Sequence, residues 1–543
     1  MGVIPTGKKA KVLIHPAFPI GEISSRIYGA FLEPIGTMVN GSMYNPKHQT
    51  ADDKGFRRDF MEALHASGLP AIRLPGGNFV SGWDWKDSIG PTEKRKAHLD
   101  LAWRQYIPND VGHDEYLQWA ERIGLEPMYT INLGTGSIND AISIVEYTNH
   151  KGGTYWSDLR KEYGHIDPYG VKTWYLGNEM DGPWQIASWE KNPRGYGILA
   201  NEVSKAMKWV DPAIETVACV SSSPFLSHYP QWDLEALQEC YETVDYISLH
   251  HYHSAPSGDY AALLGGSCYF EDYINTEIAL CDFVQAKLRS PKKMLISFDE
   301  YGTMEKPCEA LHPGRGPHNL AAAHYVFDTS RQYIHYHPDD MSNARKYPKG
   351  SEMLSALTAA STLLVFLRHA DRVKIGCMTS GINAIAATNR DCVWTPASYY
   401  PFTQLMRYGR GISLQTAVEC ETFDIPGYAI DDNSQYSTRK GLPFLDTAAA
   451  FDQTNGELNI FAINRNWREP MALEIDVSAF KGCRLLEHLQ LYSNDMDAEN
   501  SFEHPETIIP ALNPDTKMAD GKITAKLQRL SWNVFRIQTP GPD

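Results

Sequence analysis

Eight short apolar runs, each followed by a helix-length amphipathic stretch, occupy the chain from about residue 24 to 385. No other feature constrains the fold as much. The runs are Ile27–Leu32, Ala71–Leu74, Pro127–Leu133, Val171–Leu176, Ile214–Val220, Val244–Leu249, Met294–Phe298 and Arg372–Met378. An apolar run without polar alternation reads as a strand buried on both faces. Between them Phe56–Ser67, His113–Gly124, Ile138–Asn149, Gly197–Val210 and Met353–His369 repeat apolar residues at helical spacing. Strands separated by helices of this length pair in parallel, and eight such units predict a closed (β/α)₈ barrel. An open doubly wound sheet is the competing arrangement, but no glycine-rich phosphate loop follows the first run.

Beyond about residue 390 the pattern changes to short alternating segments with turn residues between them. Glu457–Ile463, Ala472–Val477, Arg484–Tyr492, Lys522–Leu527 and Trp532–Ile537 read as strands of an all-β sandwich or jelly roll. Ala10–His15 reads as one more, joining the sandwich before the chain enters the barrel. The predicted class is therefore α/β: a TIM barrel over 24–388 with a C-terminal β-sandwich over 389–543 and an N-terminal strand within 1–23.

Charge excludes one large class of partners. With 50 Lys and Arg against 66 Asp and Glu, the net charge is -16, and a phosphate backbone needs the opposite sign. No stretch of 18 apolar residues is present, so no membrane span is expected. Met1 to Lys11 carries no apolar run of leader length. The nine cysteines form no CxxC pairs and several lie in apolar surroundings, as reduced thiols of a cytoplasmic protein would. The 13 Trp and 29 Tyr serve core packing or sugar stacking, and composition does not separate the two.

Polar residues mark the ends of the predicted strands. Glu33 ends the first and Arg73 with Pro75-Gly76-Gly77-Asn78 the second. Asn132 ends the third, Asn178-Glu179 the fourth, His250 and Tyr252 the sixth, Asp299-Glu300 the seventh. In a barrel these ends converge on one face, where active sites are built. Singly, a Glu at a strand end is a surface group or a helix cap. Two of them, on strands four and seven, suit acetal cleavage, in which one carboxyl protonates the leaving oxygen and the other attacks the anomeric carbon. Asn178 stands where an amide would bond the sugar 2-hydroxyl, and Arg73 would be the counter-charge of Glu300. Glu179 has to arrive protonated, so its surroundings are expected to raise its pKa. Strand alternation puts Asp299 on the opposite face from Glu300, as a structural residue. The run His250-His251-Tyr252-His253 lacks the carboxylate spacing of a metal motif, and His251 and His253 read as loop residues.

These segments resemble glycoside hydrolase family 51, the α-L-arabinofuranosidases. The likeness is carried by Tyr28–Glu33, Arg73–Gly82, Leu99–Trp103, Asn132–Gly136, Thr154–Arg160, Leu176–Gln185, Asp245–His250, Ser297–Glu300 and His369–Lys374. In the sandwich it continues through Phe461–Asn466 and Leu530–Val534. The resemblance implies a two-step retaining mechanism with Glu179 as acid/base and Glu300 as nucleophile. It implies sugar contacts from Glu33, Asn78 and Asn178, an aromatic wall at Trp103, and orientation of the carboxylates by Arg73, His250 and Tyr252. It implies no metal or organic cofactor, an arabinose-containing oligosaccharide as substrate, and a cytoplasmic homo-hexamer. Three pocket positions depart from the family pattern: Tyr301 and Met304 stand where Trp is usual, and Ser380 where Gln is usual. The segment 301–352 also departs and is expected to add a helix near Asn319 to Tyr333. The same catalytic pair would serve a β-xylosidase or an endo-glucanase, and a catalytically silent sugar-binding protein would share the fold.

Overall fold

The apolar runs become eight parallel strands. They are Gly29–Phe31, Ala71–Leu74, Glu126–Ile131, Thr173–Leu176, Glu215–Cys219, Tyr246–Pro256, Leu295–Lys306 and Val373–Met378. They close into a barrel in which sequence neighbours are spatial neighbours and the eighth strand pairs with the first, Cys377 opposite Gly29. These positions come from a computed structural model that describes residues 8–306, 333, 352–379, 381–430, 434–496 and 498–540. Phe31, Ala71, Met128, Tyr175, Val217, Tyr246, Ile375 and Cys377 form a buried cluster among the strands. The helix expected near Asn319 to Tyr333 falls outside the described residues, apart from Tyr333 itself.

One helix begins ahead of its apolar pattern because of its cap. Pro193–Val210 starts four residues before its apolar periodicity. Asn192 accepts from the Gly195 N–H at 3.0 Å, and Pro193 occupies the first turn, where its missing N–H costs nothing. The first apolar run is strand only from Gly29, because Ser24 caps a 3₁₀ turn over Ser25–Tyr28. No helix among the described residues is long and apolar enough to cross a membrane. The eight described cysteines are free, with Cys219, Cys240, Cys281 and Cys377 buried.

The sixth and seventh strands outgrow the barrel. Their pairing continues to Lys306 opposite Pro256, well past the predicted ends at Leu249 and Phe298. Both ladders of the seventh strand slip, between Ser297 and Glu300 on one side, and between Ile296 and Ser297 and again between Phe298 and Tyr301 on the other. This β-bulge breaks the alternation on which the face of every later side chain depends.

Ten further strands form a sheet whose inward residues share one core, including Val12, Leu414, Leu458, Ile475, Ile523 and Phe535. Its N-terminal strand, Lys8–Glu22, lies antiparallel to Ile412–Cys420 and parallel to Met471–Asp476. Between Ile412–Cys420 and Leu445–Asp452 the chain leaves this sheet and forms two small pairings, Thr422–Ile425 with Arg439–Pro443 and Tyr428–Ala429 with Gln435–Tyr436. Arg368 of the barrel helix Glu352–Arg368 reaches Asp446 of the sheet at 2.8 Å.

Candidate active site

The strand ends bring eight polar groups together. Arg73, fully buried, is the hub. Its Nη1 pairs with Glu300 Oε1 at 2.8 Å, its Nη2 donates to Asn178 Oδ1 at 2.7 Å, and its Nε lies 3.0 Å from Asp299 Oδ2. The guanidinium sits over the rings of Tyr175 and Phe31, 4.7 and 5.1 Å from their centroids, an arrangement that suits a planar cation. Tyr252 donates to Glu300 Oε2 at 2.7 Å. Its single proton is then committed, so Thr379, 2.8 Å away, donates to the phenol oxygen. Glu300 thus has both oxygens held.

Glu179 is held differently. It follows Gly177, whose φ of +87° brings a missing Cβ within 2.7 Å of Met180 Sδ. Glu179 itself has φ +47°, an uncommon conformation for a residue with a side chain and a recurrent one at active sites. His250 Nδ1 meets its Oε1 at 3.0 Å and Trp184 Nε1 donates to its Oε2 at 2.7 Å. The other ring nitrogen of His250 faces Asp299 Oδ2 at 3.1 Å. Glu33 lies against Gly76 and Gly77, where a Cβ would come within 2.9 Å and 3.0 Å of its side chain. It accepts from the Phe79 N–H at 3.0 Å and from Trp103 Nε1 at 2.7 Å, both on Oε1. Asn178 donates to Asn78 Oδ1 at 3.0 Å, and Gln185 donates to the same oxygen.

These surroundings divide the acids. Burial raises Glu179 above the usual carboxylate range, and the charge of Glu300 adds to that, while the His250 and Trp184 bonds oppose it. Burial and Glu300 push Glu33 up to about 8. Asp299 goes the other way: burial alone would raise it, but Arg73 and His250 hold it below its ordinary value. Burial would lower His250, yet Glu300 and Asp299 bring it up to about 10. Glu179, His250 and Glu300 place one ligand atom each within 4.8 Å of one another. A metal needs a neutral imidazole. Here both ring nitrogens face carboxylates and Arg73 already occupies Glu300, so the donor set suits proton handling better than an ion.

Asn78, Trp103 and Asn178 all join this cluster, and Met304 lies four residues beyond Glu300 on the same strand, half-buried. Tyr301 does not join it. The bulge turns its ring outward onto Phe298 and Phe366, 6.1 and 5.1 Å between centroids, with 1% exposure. The same bulge corrects the expectation for Asp299, which shares Arg73 with Glu300 instead of facing away. His251 and His253 are buried strand residues packed on Phe270 and Tyr269, not loop residues. Asn132 organises its own turn, accepting from the N–H groups of Gly134, Thr135 and Gly136. Ser380 lies outside the described residues. Sequence reasoning gave no role to Trp184, Gln185, Thr379 or Ser248, whose hydroxyl donates to Asp299 Oδ2 at 3.1 Å. Trp184 and Gln185 stand six and seven residues after Asn178 in the segment Leu176–Gln185, and that proximity was the available signal.

Acetal hydrolysis asks for one acid kept protonated and one carboxylate kept charged, side by side. The barrel and this division together define a barrel glycosidase. Two family models match the chain: the α-L-arabinofuranosidase 1 domain over residues 61–265 and the α-L-arabinofuranosidase C-terminal domain over 299–531. The intracellular exo-α-(1→5)-L-arabinofuranosidase of Halalkalibacterium halodurans is 37% identical over 534 residues, covering 97% of this chain and 99% of its own. The Bacillus subtilis intracellular exo-α-(1→5)-L-arabinofuranosidase 1 is 36% identical over 534 residues, covering 98% and 99%. The solved family 51 α-L-arabinofuranosidase from Bifidobacterium longum has a TM-score of 0.83 at 28% identity, covering 98% of this chain and all of its own. The chain belongs to glycoside hydrolase family 51, the α-L-arabinofuranosidases.

Proposed function

We propose that this glycosidase is a retaining, exo-acting α-L-arabinofuranosidase that releases non-reducing-terminal arabinofuranosyl residues from arabinose-containing oligosaccharides. The carboxylate spacing carries the reading. One oxygen of Glu179 and one of Glu300 lie within 4.8 Å of each other, which fits the roughly 5–5.5 Å between the carboxyl groups of retaining pairs better than the roughly 6.5–9.5 Å that leaves room for an inverting water. Glu300 attacks the anomeric carbon, forming a glycosyl ester as the bond to the leaving oxygen breaks and that oxygen takes the Glu179 proton. Water then gives a proton to Glu179 and attacks the same carbon, and the ester bond returns its electrons to Glu300.

The neighbours have matching tasks. Arg73 and Tyr252 hold Glu300 on the line of attack, and His250 holds Glu179. Glu33, protonated at neutral pH, donates to a sugar hydroxyl. Asn78 bonds the sugar and braces Asn178, which keeps one N–H for the 2-hydroxyl, and Trp103 forms the wall beside the furanose. By the family resemblance, the positions of Met304 and Ser380 border the sugar pocket. Relatives named for intracellular exo action support that action and a cytoplasmic setting. From the family resemblance we also propose a homo-hexamer; light scattering that returns the mass of one chain, 61.0 kDa, would refute it.

A panel of nitrophenyl glycosides tests the substrate class. Turnover is expected on the α-L-arabinofuranoside and lost in Glu300→Ala. A preference for the β-D-xyloside or a β-glucan, or full activity in Glu300→Ala, would contradict the reading.

A further inference from the structure

The sixth barrel strand has an edge that the barrel itself does not complete. Its pairing with the fifth strand stops at Ser248 opposite Cys219, whereas its pairing with the seventh runs on to Pro256. Backbone groups on the fifth-strand side beyond Ser248 therefore need partners from elsewhere, since buried N–H and C=O groups are costly unpaired. Ser254, which is buried, gets them from the far end of the chain. Tyr436 Oη accepts from the Ser254 N–H at 2.9 Å and lies 3.5 Å from the Tyr252 carbonyl, to which it donates. Tyr428 Oη donates to the Ser254 carbonyl at 3.1 Å.

Both tyrosines belong to the small pairing Tyr428–Ala429 with Gln435–Tyr436, inserted between two strands of the C-terminal sheet. Their rings stack with centroids 4.6 Å apart. Tyr436 also meets Phe225, Tyr269 and His253 edge-on at 4.8, 4.9 and 5.1 Å, so its hydroxyl is fixed in place. The stretch it fixes carries the group that bonds Glu300. Across the ladder Tyr252 faces Gly302, which offers its ring no side chain to lean on. The Tyr252 phenol is held by its bonds to Glu300 and Thr379 and by the backbone that carries it.

We propose that Tyr436 is a positioning residue for the nucleophile: by holding the backbone from Tyr252 to Ser254, it keeps the Tyr252 phenol on Glu300. The proposal rests on Glu300 being the nucleophile. Catalytic groups tolerate displacements of only about 0.5 Å, so a slackened strand lowers kcat while leaving substrate affinity alone.

A double-mutant cycle in the full-length enzyme tests this, with Tyr436→Phe chosen because it keeps the packed ring. One neutral hydrogen bond corresponds to about threefold to tenfold, and Tyr436→Phe is expected to lose that much in kcat with KM little changed. Tyr252→Phe is expected to lose more, and Tyr436→Phe should add nothing to it. An undiminished kcat in Tyr436→Phe, or the same loss repeated in full in the Tyr252→Phe background, would overturn the proposal, since a merely structural role acts equally in both. A Tyr252→Phe enzyme with wild-type kcat would overturn it as well, whereas full activity in Glu300→Ala would overturn the assignment of Glu300 beneath it.

Discussion

Removing one N–H from beside Glu179 should move the alkaline limit of the enzyme. Trp184 Nε1 donates to Glu179 Oε2 at 2.7 Å, and that bond favours the charged carboxylate. Trp184→Phe keeps an aromatic ring and removes the donor, so the protonated acid becomes favoured over a wider range. A hydrogen bond to a charged acceptor contributes about 1.5–3 kcal/mol. Trp184 is half-buried, so the lower end applies. At 1.36 kcal/mol per pH unit, the basic limb of kcat/KM should rise by about one pH unit. The assay is kcat/KM against pH on a short arabino-oligosaccharide, followed by released arabinose. A nitrophenyl substrate would not serve, because its leaving group needs no proton and hides the acid. A basic limb that stays in place or moves down would refute the account, because Glu179 would then not be the acid that sets it.

Three further outcomes follow. Glu179→Ala should lose least on nitrophenyl substrates and most on oligosaccharides, and added azide should partly rescue it, yielding a glycosyl azide of retained configuration; its absence by NMR counts against the acid/base assignment. If Met304 and Ser380 leave the sugar pocket wider, Met304→Trp/Ser380→Gln should raise kcat/KM on a plain nitrophenyl arabinofuranoside by about fivefold, one contact of roughly 1 kcal/mol, and lower it on decorated arabinofuranosides; no gain on the first and no loss on the second would refute the wider pocket. Burial pushes Asp233, on helix Gln231–Cys240, up to about 7; since it titrates near 3.9 when unfolded, the folded chain holds an extra proton between those values and loses stability as pH rises through that window. Asp233→Asn should therefore narrow the fall in Tm between about pH 5 and pH 8 relative to wild type, and an equal fall in both proteins would rule this out.

The barrel was readable because its strands are buried on both faces, and burial leaves a plain apolar run. The polar cluster was readable for a related reason: Glu33, Arg73, Asn178, Glu179, His250 and Glu300 interrupt those runs at one end, where only a site explains them. The bulge in the seventh strand was not readable. Ser297-Phe298-Asp299-Glu300-Tyr301 fits plain alternation equally well, and only the ladders on both sides show the slip that turns Tyr301 outward and leaves Asp299 and Glu300 sharing Arg73. His251 and His253 were unreadable because their burial depends on Phe270, Tyr269 and Tyr436, the last of them nearly 200 residues away. Trp184 was visible within its motif, but its bond to Glu179 depends on the left-handed backbone at Glu179, and no side-chain pattern announces that.

The central claim is that Glu300 attacks the anomeric carbon and a water later replaces it from the same side that the leaving group vacated. Proton NMR of the first-formed arabinose, recorded before mutarotation, tests this directly. Two displacements predict the α anomer as first product. A first product of β configuration would mean that water attacks in a single step and that Glu300 is not the nucleophile.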